Sequence, residues 1–198
     1  MTVEEVMEKV DEDRVFYENS GGGVTFSGGE PVVQFEFLKA LLEESGRRHL
    51  HRVLETNGHH PWEQLDQLLP NLELVLFDIK HLDNQVHQQY TGAGNRLIRG
   101  NLELLARKGG VDWFPRVPLI PGVNDSSRHL KELGRWVKGL GAREIHLLPY
   151  HRFWESKQRT FGYPREILLE KINPPLEEEV EKAAEMLSRE GLPVIIGG

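Results

Sequence analysis

Gly23-Val-Thr-Phe-Ser-Gly-Gly-Glu-Pro31, then an amphipathic run over Gln34–Glu44, then His51-Arg-Val-Leu-Glu55-Thr-Asn-Gly58: this segment decides the fold. It reads as strand, glycine turn, helix, strand. Two strands separated by about a dozen residues or more of helix run parallel, because a tight hairpin cannot join them. Val, Leu and Phe fill these strands with little strict alternation, as expected of strands covered on both faces. The same unit recurs along the chain. Further strands are expected at Glu73–Lys80, Asp112–Pro118, Arg143–Leu148 and Leu192–Ile196, after Gly23–Ser27 and His51–Glu55. Helices are expected at Pro61–Leu69, Asn95–Arg107, Asp125–Lys138 and Glu177–Arg189, with one more over Val3–Asp11 ahead of the first strand. Asp125 and Ser126 are placed to cap a helix, Pro61 suits a first turn, and Gly46, Gly109 and Gly141 stand where helices should stop. Repeated strand–helix units with right-handed crossovers give a parallel sheet with outer helices. The sheet is either open and doubly wound or curled into a full or partial barrel; periodicity fits both.

The chain has 198 residues, 38% hydrophobic and 28% charged, the balance of one ordinary globular domain over 1–198. With a net charge of -7 and no basic helix face, it does not read as a nucleic-acid binder, since phosphate neutralisation needs clustered cations. No apolar run approaches the ~20 residues of a membrane span. The acidic, amphipathic start has neither the basic flank nor the apolar stretch of a signal peptide, so a cytoplasmic location is expected. The sequence contains no cysteine, which excludes disulfides, cysteine nucleophiles and thiolate-ligated metal centres within it. Residues 152–175 form a long irregular stretch, of the kind that serves as a lid or docking surface.

Parallel α/β folds bind ligands at the carboxyl ends of their strands. Those ends carry Ser27-Gly28-Gly29-Glu30, then Glu55-Thr56-Asn57-Gly58, Asp78-Ile79-Lys80, Arg116 with Pro121-Gly122, and Leu148-Pro149-Tyr150-His151. Each has a plain structural reading as well. The glycines serve tight turns, Glu30 is a surface carboxylate, and Asp78 and Lys80 share strand parity and could pair. The glycines match neither the P-loop nor the dinucleotide fingerprint. The pairs His49/His51 and His59/His60 lack the third ligand of a zinc site. Trp113, Phe114 and Trp136 read as packing residues.

The stretch from Tyr17 to Pro31 resembles the signature of glycyl radical enzyme activases, the pyruvate formate-lyase activating enzyme group of radical S-adenosylmethionine (SAM) proteins. Agreement continues in order through Glu55–Gly58, Asp78–Lys80, Arg116, Pro121–Asp125, Leu147–His151, Asn173–Pro175 and the closing Pro193–Gly198. The resemblance implies a partial (β/α) barrel whose first strand is missing, with residues 1–12 a helix ahead of it. It implies that Ser27, Gly28, Gly29 and Glu30 hold the methionyl ammonium of SAM, and that Lys80, Arg116 and His151 contact SAM or shape its pocket. It implies a monovalent-cation site at Glu55, Thr56 and Asp78, where Glu55 is longer than the Asp of some members.

The family's [4Fe–4S] cluster is held by a CxxxCxxC segment, and nothing in this sequence replaces three thiolates. Phe153-Trp154-Glu155 also departs from the family, placing Trp where a smaller residue is usual beside the groove for the partner polypeptide. The resemblance therefore implies the barrel portion of an oxidoreductase of anaerobic metabolism. When complete, it cleaves SAM reductively and installs a glycyl radical on a partner enzyme; this chain alone is expected to be inactive in radical generation. Two alternatives remain: a non-catalytic module binding SAM or the partner, and an unrelated barrel lyase or aldolase using Lys80 as a Schiff-base amine or Glu30 as a base. Loss of the first strand should also expose the Gly23–Ser27 edge, inviting cover by the first helix or self-association.

Overall fold

The computed structural model describes residues 1–151 and 172–197. It is α/β, with a six-stranded sheet in the order β1-β2-β3-β4-β5-β6. The strands are β1 (Gly23–Phe26), β2 (His51–Thr56), β3 (Leu74–Asp78), β4 (Asp112–Leu119), β5 (Ile145–Pro149) and β6 (Val194–Ile196). The pairings β1–β2, β2–β3, β4–β5 and β5–β6 are parallel. β1 and β6 end the strand order, so the sheet is not closed. The helices are α1 (Val3–Asp11), α2 (Arg14–Ser20), α3 (Phe35–Arg47), α4 (Trp62–Leu68), α5 (Asn84–Thr91), α6 (Arg96–Lys108), α7 (Ser127–Gly139) and α8 (Glu177–Ser188).

The chain divides into two compact units. One holds Met1–Asp78 with Leu97–Phe114, the other Ile79–Arg96 with Pro115–Gly198. In the first, α3 buries Leu38, Leu41, Leu42 and Ser45, the i, i+3, i+4, i+7 stripe of an amphipathic helix. Leu54, Leu65, Val75, Phe77 and Leu102 complete this core, each with no exposed surface. α1 starts in a capping box: the Thr2 hydroxyl accepts from the Glu5 amide, and the Glu5 carboxylate accepts from the Thr2 amide. Its Met7 is fully buried and receives a hydrogen bond from Ser45 on α3 (3.6 Å), while Arg48 reaches Glu4, Asp11 and Glu44. The partners of α1 therefore lie on and just beyond α3. In the second unit, Val117, Leu130, Leu133, Val137, Ile145, Leu147 and Leu187 are fully buried between β4–β5 and the helices α7 and α8.

Several boundaries differ from expectation for physical reasons. α3 runs through Gly46, where a Cβ would collide with the Arg52 guanidinium, and the stop falls later, at His49 with φ 58°. Gly109 (φ 64°) and Gly141 (φ 91°) do end helices as read. Ser126, not Asp125, caps α7, accepting from the His129 amide. β3 ends at Asp78, so Lys80 lies beyond the strand and its carbonyl accepts from Asn124. α2 and α5 are additional helices. Most of the 152–175 stretch, including Phe153-Trp154-Glu155, lies outside the described residues.

Candidate cofactor-binding site

In the first unit the loop after β1 and the turn after β2 meet at one carboxylate. Glu30 begins the short 3-10 turn Pro31–Gln34, and its Oε1 accepts from the Val32 amide (3.2 Å). The Thr56 hydroxyl reaches both carboxylate oxygens, at 2.9 and 3.0 Å, and the Asn57 amide donates to Oε2 at 2.8 Å. Donors on both oxygens fix the orientation of the carboxylate. Glu30 is only half-buried, so an oxygen lone pair remains for a further donor. Ser27, Gly28 and Gly29, just before it, are exposed. Gly28 has φ 142°, which a side chain would strain, and a Cβ at Gly28 or Gly29 would point into open space. The loop thus leaves room for a group with hydrogen-bond donors to approach backbone and carboxylate together.

The turn after β2 is itself tightly held. Thr56 is 2% exposed and accepts from the Gly58 amide (3.0 Å). Gly58 has φ 70°, and a Cβ there would strike the ring of Phe77. His60 is buried, with Nε2 3.3 Å from the Thr56 hydroxyl and Nδ1 3.1 Å from the Pro61 carbonyl. His59 is exposed, so the two neighbours do not act as a pair.

Register separates the residues expected at a cation site. Glu55 pairs with Leu76 and Thr56 with Phe77, so by strand alternation Glu55 and Asp78 share one face and Thr56 points to the other. The Thr56 hydroxyl is committed to Glu30. Among the described residues no three His, Cys, Asp or Glu side chains are grouped to hold a metal ion. The sequence has no cysteine, so its donors do not fit a thiolate-ligated iron–sulfur cluster.

In the second unit a cavity of about 440 Å³ opens at the ends of β4 and β5 and beside α5. Lys80, His81, His87, Tyr90, Tyr150 and His151 line it, with Pro118, Ile120 and Val123 as apolar wall. Lys80 and His151 are therefore brought together. Arg116 shares a strand face with Pro118, and its carbonyl accepts from the Ile79 amide (2.8 Å). Asn124, fully buried, donates to the carbonyls of Lys80 (2.9 Å) and Pro118 (2.7 Å) and accepts from the Ile120 amide (2.8 Å). Asn95, 2% exposed, holds the carbonyls of His81 (2.8 Å) and Leu82 (2.7 Å). The His81 ring stacks on His129, centroids 4.1 Å apart and planes 14° from parallel. Sequence reading missed Asn95, Asn101 and His129, and weighed His60 only as half of a histidine pair, without its contact to Thr56. The available signal was a polar residue on an otherwise apolar helical stripe, clearest for Asn101 and His129.

Residues 1–134 match the model of the radical SAM superfamily. The chain is 43% identical over 157 residues to the isethionate sulfite-lyase activating enzyme of Nitratidesulfovibrio vulgaris, covering 79% of this chain and 51% of that protein. It is 32% identical over 204 residues to the pyruvate formate-lyase-activating enzyme of Staphylococcus epidermidis, covering 99% of this chain and 80% of that one. A crystal structure of a domain of the pyruvate-formate lyase-activating enzyme from Bacteroides vulgatus superposes with TM-score 0.74 at 33% identity, over 89% of this chain and 99% of that one. The first curated relatives are matched over only 50% to 63% of their own length. With its parallel sheet, its Glu30 loop and these likenesses together, the chain belongs to the radical SAM superfamily, among the activating enzymes of glycyl radical enzymes.

Proposed function

We propose that this chain is the SAM-binding barrel portion of a glycyl radical enzyme activase. Glu30 accepts the methionyl ammonium, with Ser27, Gly28 and Gly29 giving backbone approach. Lys80, Arg116 and His151 contact SAM or shape its pocket, and Glu55, Thr56 and Asp78 serve a monovalent cation, Thr56 through its backbone. The observation that carries this reading is the Glu30 carboxylate, aligned by Thr56, Asn57 and Val32 beside a glycine loop whose Cβ positions are open. The wider activity proposed for the complete protein is SAM-dependent activation of a glycyl radical enzyme polypeptide. Radical generation is not assigned to these 198 residues, because they offer no thiolate for the cluster.

The absence of cysteine favours one second reading, a module that binds SAM or the partner polypeptide without chemistry of its own. Calorimetry or a chemical-shift titration with SAM tests the site itself. Without iron to chelate the amino and carboxylate groups, a loss of ~3 kcal/mol weakens binding more than about a hundredfold. Millimolar-range affinity, abolished in Glu30→Ala, is the expected result. Binding that survives Glu30→Ala unchanged, or that is submicromolar in the wild type, would contradict it.

A further inference from the structure

α6 carries a polar residue where its pattern calls for an apolar one. Its buried positions are Ile98, Asn101, Leu102 and Leu105, the i, i+3, i+4, i+7 stripe, and Asn101 is only 2% exposed. A buried amide is costly unless its hydrogen bonds are made. Asn101 makes them with one turn, its Nδ2 donating to the carbonyls of Gly58 (2.9 Å) and His60 (2.7 Å). That turn also carries the Asn57 amide and follows the Thr56 hydroxyl, the two groups that grip Glu30. Holding the carbonyls at 58 and 60 fixes the 58–59 and 60–61 peptide planes on either side of His59, and so anchors the far end of the short turn that begins with the Asn57 amide. Phe77 backs Gly58 against the same turn, leaving it little freedom.

We propose that Asn101 is a positioning residue for Glu30. It locks the turn after β2 so that Asn57 and Thr56 hold the carboxylate in the one orientation that presents a lone pair to a cationic ligand. Without the clamp the glutamate side chain keeps its rotor freedom, and ordering it on binding costs affinity. The ligand half of this proposal rests on the reading of Glu30 as the ammonium acceptor; the coupling of Asn101 to the Glu30 hydrogen bonds does not.

Solution NMR of the full chain separates the two halves. In the wild type, scalar couplings across hydrogen bonds are expected from Asn101 Nδ2 to the Gly58 and His60 carbonyls, and from the Asn57 amide to the Glu30 carboxyl carbon. Their absence would overturn the proposal without any variant. Asn101→Asp keeps the shape but replaces the donor by an acceptor, Asn101→Ala removes it, and Leu105→Ala on the same helix is a core-destabilising control. Compared at equal global stability, both Asn101 variants should move the Asn57 amide upfield and speed its exchange about tenfold or more, and the control should do neither. An Asn57 signal that responds alike in all three makes Asn101 a packing residue only. Millimolar SAM should perturb Glu30 and Asn57 in the wild type, with affinity about tenfold weaker in Asn101→Asp. If SAM leaves the wild type unperturbed while couplings and amide behave as expected, the ammonium reading fails and the positioning role stands. If SAM binds both equally although the Asn57 amide has moved, the ligand half of the proposal is overturned.

Discussion

Replacing His129 by Phe and following stability against pH reads the cost of one buried imidazole. His129 lies on the apolar stripe of α7 with Leu130, Leu133 and Val137, is 6% exposed, and its Nε2 has no hydrogen-bond partner among the described residues. Burial pushes its pKa down from 6.5 to about 4; the stacked His81 pushes the same way, and Glu132 on its own helix opposes them weakly. The sign follows from proton counting. Above the unfolded value of 6.5 neither state binds this proton, and stability is indifferent to it. Between 6.5 and about 4 the unfolded chain takes up a proton that the folded chain refuses, so stability falls as pH falls. Below about 4 both states are protonated and the loss levels off. At 1.36 kcal/mol per pH unit the gap from 6.5 to about 4 is worth about 3 kcal/mol, and incomplete protonation of the folded state at the acid end of the window leaves roughly 2–3 kcal/mol to be read. His129→Phe keeps an aromatic plane against His81 and cannot titrate. Its packing strain is independent of pH and drops out of the slope. The assay is urea unfolding of both proteins from about pH 7 to about pH 4. It is read by tryptophan fluorescence and circular dichroism together, because coincident transitions are needed in a chain of two compact units. The wild type should lose roughly 2–3 kcal/mol relative to the variant across that window. A difference curve flat to within about 0.5 kcal/mol would refute the reasoning.

Anaerobic reconstitution with iron and sulfide should leave the chain colourless, and a stoichiometric [4Fe–4S] signal would contradict the absence of thiolate ligands. Gly58→Ala should cost about 2–4 kcal/mol, since it adds positive-φ strain to a collision with Phe77; a melting temperature within a degree or so of wild type would disprove that. β1 has a single strand neighbour in the sheet order and α1 packs on α3, so self-association through the β1 edge and a stabilising role of α1 are two separate expectations. Light scattering and melting of Val6→Asp/Val10→Asp decide, and a monomer with unchanged melting temperature would exclude both devices.

The order of strands and helices was legible because burial on both faces leaves Val, Leu and Phe in short runs and helical burial leaves a stripe at 3.6-residue spacing. The six strands appear within about two residues of their expected ends, the usual uncertainty at element boundaries. α2 and α5 escaped for the same reason. α2 buries no residue and α5 buries only His87, so neither writes a stripe; for α5 the readable signal was Asp83, which caps it by accepting from the Gln85 and Val86 amides. Glu30, Lys80 and His151 were legible as residues of strand ends, and the family resemblance supplied their expected roles. Residue types and their order along the chain thus determined the fold class, the candidate site residues and the lack of cluster ligands. Tertiary structure alone decided which groups touch. The donors on Glu30 from Thr56 and Asn57 stand 26 and 27 residues away, and the carbonyls held by Asn101 are 43 and 41 residues back. Such contacts depend on strand register and on where loops close, and no local pattern encodes them. Register likewise sent Thr56 to the opposite face from Glu55 and Asp78, because side chains alternate along a strand however their chemistry groups them on paper.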